Sequence, residues 1–388
     1  MKRRTFVATV FGSVVAMSSD MALAQDSSPP NRPAKPKMSR PDYASTGVTL
    51  LPGTPAAAGF RMPAEWARHE RTVMAFPTPI NWRRRQLAGA RKEWVDVAKA
   101  VARFEPVTLY ANTGEGEIAK KLCAGSQNIT VVEVPLDTAW TRDTGPQILL
   151  DAKGNRRATG FTFNCWGGKF NNFAKDALLK ARMCKRLGIG MHEAPMVLEG
   201  GAITVDGEGT LIAVEECIIA KNRNPELSKE QIEKIMADHL GIKKFIWLAR
   251  GLQPDPITDG HVDGICTFVK PGVVLLHTTA DKKGRNYSIC QDALQRLEAA
   301  RDARGEKLKV IELPLTSENL VHMNFYICNG GIIVPVSGKK SEDDAPLRII
   351  AKAFPDHEVV GVSGRIISEG GGGVHCITQQ IPAGAKTR

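Results

Sequence analysis

Short apolar runs alternate with longer amphipathic stretches along most of this chain. The runs with strand character cover residues 71–76, 107–110, 130–134, 147–150, 202–205, 210–214, 264–269, 273–277, 309–313, 331–336 and 358–362. Between them, apolar residues recur at helical spacing over 82–104, 176–187, 228–240, 289–304 and 346–354. Five helical stretches, each accompanied by two or more strands, predict an α/β body of units of roughly 60–70 residues, although the units share no obvious sequence. A doubly wound nucleotide-binding sheet would give the same alternation. No Gly-x-Gly-x-x-Gly follows an early strand, however, and no Gly-Lys-Ser/Thr phosphate loop occurs.

The amino-terminal segment departs from this pattern. Lys2-Arg3-Arg4 precedes a weakly apolar run ending Ala22-Leu23-Ala24, which reads as an export signal over residues 1–24 with cleavage after Ala24. The run is too short and interrupted for a membrane anchor. The arginine pair followed by Phe6 resembles the twin-arginine variant, whose cargo crosses already folded, so the expected destination is periplasmic or secreted. Residues 25–58, rich in Pro, Ser and Ala, read as an extended linker, and 59–388 as one catalytic domain beginning near Met62-Pro63.

Charge and cysteines narrow the chemistry. The formal net charge is +11; the signal carries three cations (Lys2, Arg3, Arg4) and one anion (Asp20), so the mature chain keeps about +9. The cations are scattered and lack the aromatic interleaving of a single-strand groove, so no nucleic-acid partner is expected, nor membrane association once the signal is removed. Self-association into a homo-oligomer is left open. None of the eight cysteines falls in a Cys-x-x-Cys pair, which argues against a disulfide scaffold or zinc site.

Four segments place reactive side chains beside glycine. Asp143 precedes a Gly-Pro turn, Glu199 precedes Gly200-Gly201, His261 and Asp263 alternate within Asp259-Gly-His-Val-Asp-Gly264, and Cys376 follows the run Gly370–Gly373 by three residues. Alternation in an extended segment would project His261 and Asp263 to one side. A His-x-Asp pair could ligate a metal, but no further ligands stand at suggestive spacing. A cysteine protease would use the cysteine and histidine, yet a ring of carboxylates would repel its oxyanion. Carboxylates suit a planar cation instead: they can pair with a guanidinium while a thiolate attacks its central carbon.

Several longer motifs occur in order: Met62-Pro-Ala-Glu-Trp66, Asn81-Trp-Arg83, Trp140-x-Arg-Asp-x-Gly-Pro146, Phe163-Asn-x-Trp-Gly-Gly-Lys169, Leu198-Glu-Gly-Gly201, Asn222-Arg-Asn-Pro225, Asp259-Gly-His-x-Asp263, Asn324-Phe-Tyr326 and His375-Cys-Ile-Thr-Gln-Gln380. Together they resemble the agmatine deiminase family, which includes bacterial peptidylarginine deiminases, over about residues 60–382. The resemblance implies the pentein fold, a five-bladed α/β propeller around an acidic site. It implies Cys376 as nucleophile, His261 as general acid/base, Glu199 as a partner that orients His261 or holds substrate, Asp143 and Asp263 as guanidinium clamps, and Trp140 as a substrate-contacting ring. It implies no metal and no organic cofactor. The expected reaction converts a guanidinium to a ureido group plus ammonia, with agmatine giving N-carbamoylputrescine.

Three departures bear on the far end of the substrate. Thr138 stands where agmatine-specific members usually carry a second acid, Gly264 and Gly373 stand where they tend to have Asn, and the segment before Asn324 is shorter. Arginine or peptidyl-arginine, yielding citrulline, is the alternative substrate class. An exported protein that binds guanidino ligands without turning them over is a further alternative.

Overall fold

In a computed structural model, residues 41–80, 82, 84–317 and 320–385 are described. The export signal expected at 1–24 lies outside them, as do Asn81 and Arg83. The strands form five sheets built on one recipe, in which a first strand runs antiparallel to a second and the second runs parallel to a third. The second sheet is β4 (Gln147–Leu150), β5 (Arg156–Thr162) and β6 (Met191–Val197); the third is β7 (Ile203–Val205), β8 (Thr210–Val214) and β9 (Lys244–Leu248). The fourth is β10 (Cys266–Lys270), β11 (Val273–Thr278) and β12 (Lys309–Pro314), and the fifth β13 (Tyr326–Cys328), β14 (Gly331–Val336) and β15 (Glu358–Ser363). The first sheet is split across the chain. Its strands β1 (His69–Ala75), β2 (Val107–Ala111) and β3 (Ile129–Glu133) lie near the start, while its antiparallel member β16 (Thr378–Pro382) comes from the end.

A parallel second-to-third step needs a crossover, and a helix supplies it in every module. These are α1 (Arg84–Val101), α2 (Leu179–Leu187), α3 (Lys229–Leu240), α4 (Tyr287–Ala299) and α5 (Lys340–Ala353), one for each helical stretch read from the sequence. Ser228 caps α3 in a capping box, exchanging bonds with Gln231 at 3.3 Å and 2.8 Å. The sequence reading begins the last helix at Pro346, whereas α5 starts six residues earlier with Pro346 inside it. The proline leaves the Glu342 carbonyl without its helical donor, and the Thr316 hydroxyl donates to that oxygen at 2.8 Å.

First strands of different modules touch one another, β7 with β10 and β16 with β4. The Thr204 hydroxyl accepts the Phe268 amide at 3.3 Å across the first of these seams. Strand-to-strand contact between modules thus runs through first strands, while third strands pack on the crossover helix of a neighbouring module, and the segments leading into the first strands meet.

The linker boundary is corrected. Residues 41–58, expected to be extended linker, dock on the body: Tyr43 and Val48 are buried, and the Leu51 amide donates to Met191 O while the Met191 amide donates to Thr49 O, both at 2.9 Å. Pairing with the start of β6 is the physical reason, since Met191 offers its free backbone edge there.

Candidate active site

Every module delivers the residues just ahead of its first strand to one place. Asp143 lies in the single helical turn Thr141–Thr144 before β4, Glu199 directly before the turn Gly200–Ala202 and β7, and His261 and Asp263 at the turn Val262–Gly264 before β10. Asn324 precedes β13 by two residues, and Cys376 precedes β16 by two. All six are at most 6% exposed, far below the norm for carboxylates, so their charges act through a poorly screened medium.

His261 stands between two acids. Its Nδ1 is 3.9 Å from Asp143 Oδ1 and its Nε2 is 4.0 Å from Glu199 Oε2, and neither ring nitrogen has a hydrogen-bond partner among the described residues. Burial alone would lower its pKa; Asp143, Cys217 and Asp263 outweigh burial and hold it well above the usual value, which favours the protonated ring. Asp143 is aimed by the Trp166 indole N–H, which donates to Oδ2 at 2.8 Å, and by the Gly201 amide, which donates to Oδ1 at 3.0 Å. Burial raises the Asp143 pKa; His261 opposes the rise, and Asp263 and Glu199 add to it. Glu199 accepts from Arg223 Nε at 2.7 Å, and Arg223 in turn donates to Asp259 and to Thr258 O, at 2.8 Å and 3.0 Å.

The nucleophile candidate has its own cradle. Asn324 Oδ1 accepts the backbone amides of His375 at 3.0 Å and Cys376 at 3.3 Å, and the Cys376 thiol at 3.4 Å. The same thiol lies 3.6 Å from Asp263 Oδ2. Burial, then Asp263 and Asp143, push its pKa well above that of a free thiol, so the sulfur carries its proton in this field. A cation between the two aspartates would offset their share of that shift. The glycine run makes room: a Cβ on Gly372 would sit 2.6 Å from the Trp140 ring, and one on Gly373 would sit 2.5 Å from Asn324 Oδ1. A cleft of about 980 Å³ reaches His261, Asp263, Asn324 and Cys376 and also carries the charged Lys339 and Glu342.

The five catalytic and clamping positions read from the sequence are brought together, with one change of geometry. His261 and Asp263 do not alternate in an extended segment; Val262–Gly264 is a tight turn, because the chain must bend there to enter β10. Trp140 packs edge-on against Trp94 at 5.5 Å, behind Gly372. Thr138, at the position where a second acid was expected for agmatine, donates through its amide and hydroxyl to the buried Asp176, at 2.9 Å and 2.6 Å. Glu199, Cys217 and His261 offer ligand atoms within 4.8 Å of one another. Glu199 is already paired with the Arg223 guanidinium at 2.7 Å, a fixed cation that a metal at this position would have to face, so the set suits a metal poorly. Asn324, Arg223, Trp166 and His375 all lie in motifs quoted above, but nothing in their residue types alone declares these contacts.

A family model described as Porphyromonas-type peptidyl-arginine deiminase matches residues 61–382. The chain belongs to this family. Agmatine deiminase of Stutzerimonas stutzeri is 43% identical to this deiminase-family chain over 87% of it and 99% of the relative; that of Pseudomonas aeruginosa strain LESB58 is 44% identical over 86% and 98%. Among solved structures, the agmatine deiminase of Enterococcus faecalis matches with a TM-score of 0.83 at 34% identity, covering 87% of this chain and 99% of that one. The fold is thus the α/β pentein fold implied by the motifs, and the five-sheet recipe is its local expression.

Proposed function

We propose that this protein is an agmatine deiminase: a hydrolase that converts the guanidinium of agmatine to the ureido group of N-carbamoylputrescine and releases ammonia. The observation that carries the reading is the thiol of Cys376 and the imidazole of His261 enclosed by three buried carboxylates. The similarity to agmatine deiminases along nearly their whole length supports the choice of substrate.

The chemistry follows from the charges. Agmatine's guanidinium pairs with the carboxylates of Asp143 and Asp263, and its positive charge offsets their part in keeping the thiol protonated and favours the thiolate; the thiol proton leaves to the cleft solvent. The thiolate adds to the guanidinium carbon, forming the S–C bond and leaving a neutral tetrahedral carbon with two amino groups. His261 gives its proton to one of them, the C–N bond breaks and ammonia departs, leaving an amidino-thioether cation. Neutral His261 then takes a proton from water as the oxygen bonds to that carbon. The S–C bond breaks, the product hydroxyl returns its proton to the sulfur, and the urea leaves. Fixing substrate, thiol and imidazole within one buried site supplies the orientation term. Glu199, held by Arg223 Nε at 2.7 Å, is fixed 4.0 Å from the imidazole edge and orients the ring.

The test is an assay of ammonia and ureido product with agmatine, arginine and an arginine-containing peptide. Agmatine is expected to be the preferred substrate, and Cys376→Ala to lose turnover by on the order of 10⁴-fold or more while still binding agmatine. Peptide and agmatine rates that are comparable would overturn the substrate, and continued ammonia release by Cys376→Ala would overturn the nucleophile.

A further inference from the structure

His375, next to the nucleophile, is gripped at both ring nitrogens. Nδ1 lies 2.8 Å from Asp263 Oδ2 and Nε2 lies 2.8 Å from Glu65 Oε2. A neutral imidazole has one N–H and one lone pair, and a lone pair facing a carboxylate oxygen at that distance repels it. The surroundings hold the carboxyls of Glu65 and Asp263 below their usual pKa, and two ionised carboxylates are satisfied together only by the imidazolium, which donates from both nitrogens. Glu65 comes from the segment ahead of β1 and is itself held: Oε1 accepts the Ile327 amide at 3.0 Å, and Oε2 lies 3.7 Å from Arg142 Nη2. Two modules thus grip the ring directly and two more hold Glu65, and the ring contacts the same Asp263 oxygen that faces the Cys376 thiol.

We propose that His375, held as an imidazolium by Glu65, is a positioning residue of the deiminase: it keeps Asp263 ionised and aimed at the guanidinium, and offsets one of the negative charges around the Cys376 sulfur. This rests on the hydrolytic reading above. His375 is not a catalytic residue, since it acts on the substrate through Asp263. The groups facing it are Asp263 ahead of β10, Glu65 ahead of β1, and Arg142 ahead of β4, whose positive charge opposes the imidazolium and is outweighed by the two carboxylates. The Asp263 pKa stays below its usual value against the cost of burial chiefly because of this ring.

The experiment compares wild type, His375→Gln and Glu65→Gln by steady-state kinetics on agmatine over pH, together with thermal melting. Turnover by wild type is measured first; if it acts on no guanidino compound, the functional reading fails and not this inference. With an active wild type, His375→Gln is expected to raise KM by about tenfold or more and to move the acid limb of kcat/KM upward by about one pH unit or more, because Asp263 loses its cation. Glu65→Gln is expected to move the limb the same way by a smaller amount, and it keeps the test open should the first variant fold poorly. A purely structural role would lower the melting temperature and leave the limb in place. An unchanged limb and KM in a folded variant of either kind overturns the proposal.

Discussion

Gly201 faces three of the proposed working groups at once. A Cβ there would lie 2.6 Å from His261 Nδ1, 2.8 Å from Asp263 Oδ2 and 3.0 Å from Asp143 Oδ1, so one methyl group would push at the proposed acid/base and both clamps together. Its backbone needs no left-handed conformation, so the fold should accept alanine better than the chemistry does. Gly201→Ala is expected to lower kcat/KM by on the order of 10²-fold with a melting temperature close to wild type, which kinetics and calorimetry on one preparation would check. A variant of unchanged activity would show that these three groups are not held at working distance. At this scale the sequence is legible where a residue type announces its chemistry, as Cys376, His261, Asp143, Asp263 and Glu199 do. Asn324 and Glu65 stayed silent, because an amide oxygen that collects two backbone N–H groups, or a carboxylate paired with a histidine 310 positions away, is defined only by the folded neighbours.

Elements were legible where periodicity was clean. All five crossover helices left their spacing in the sequence, while five strands did not, and the reasons differ. Strand β5 opens on Arg156-Arg157 and contains Gly160, and β16 reads Thr-Gln-Gln-Ile-Pro yet is buried throughout, its Gln380 accepting from Arg142 Nη1 at 2.6 Å. Polar residues buried through specific partners defeat a hydrophobic pattern. Helix α5 shows the opposite failure, a proline that looks like a start and is not one. Its tolerance is testable. Thr316→Val should destabilise the protein by about 1 kcal/mol, since the Glu342 carbonyl then lacks any donor. In a Pro346→Ala background the new amide can reach that carbonyl, so the same Thr316→Val change should cost measurably less. Equal costs in the two backgrounds, measured by chemical denaturation, would disprove the compensation.

The whole molecule is closed by its own end. Strand β16 pairs antiparallel with β1 from His69↔Pro382 to Met74↔Thr378, so the first module is incomplete until the last residues arrive. The closure also reaches the second module: the Thr141 hydroxyl donates to Ile377 O at 2.8 Å, and Arg156 donates to Glu70 of β1 at 2.5 Å. The turn carrying Asp143 and the segment carrying Cys376 are therefore set against each other by the pairing that joins the two ends. Loss of β16 would remove five buried residues and leave β1 with an unpaired edge. A chain ending at residue 377 keeps every proposed catalytic and clamping side chain, so a local view of the site predicts an active enzyme. The closed architecture predicts the reverse: no cooperative thermal transition, exposed apolar surface, and no ammonia release from agmatine. Circular dichroism melting and the ammonia assay on that truncated chain decide between the two, and a folded, active truncation would show that the site is assembled without the closing strand.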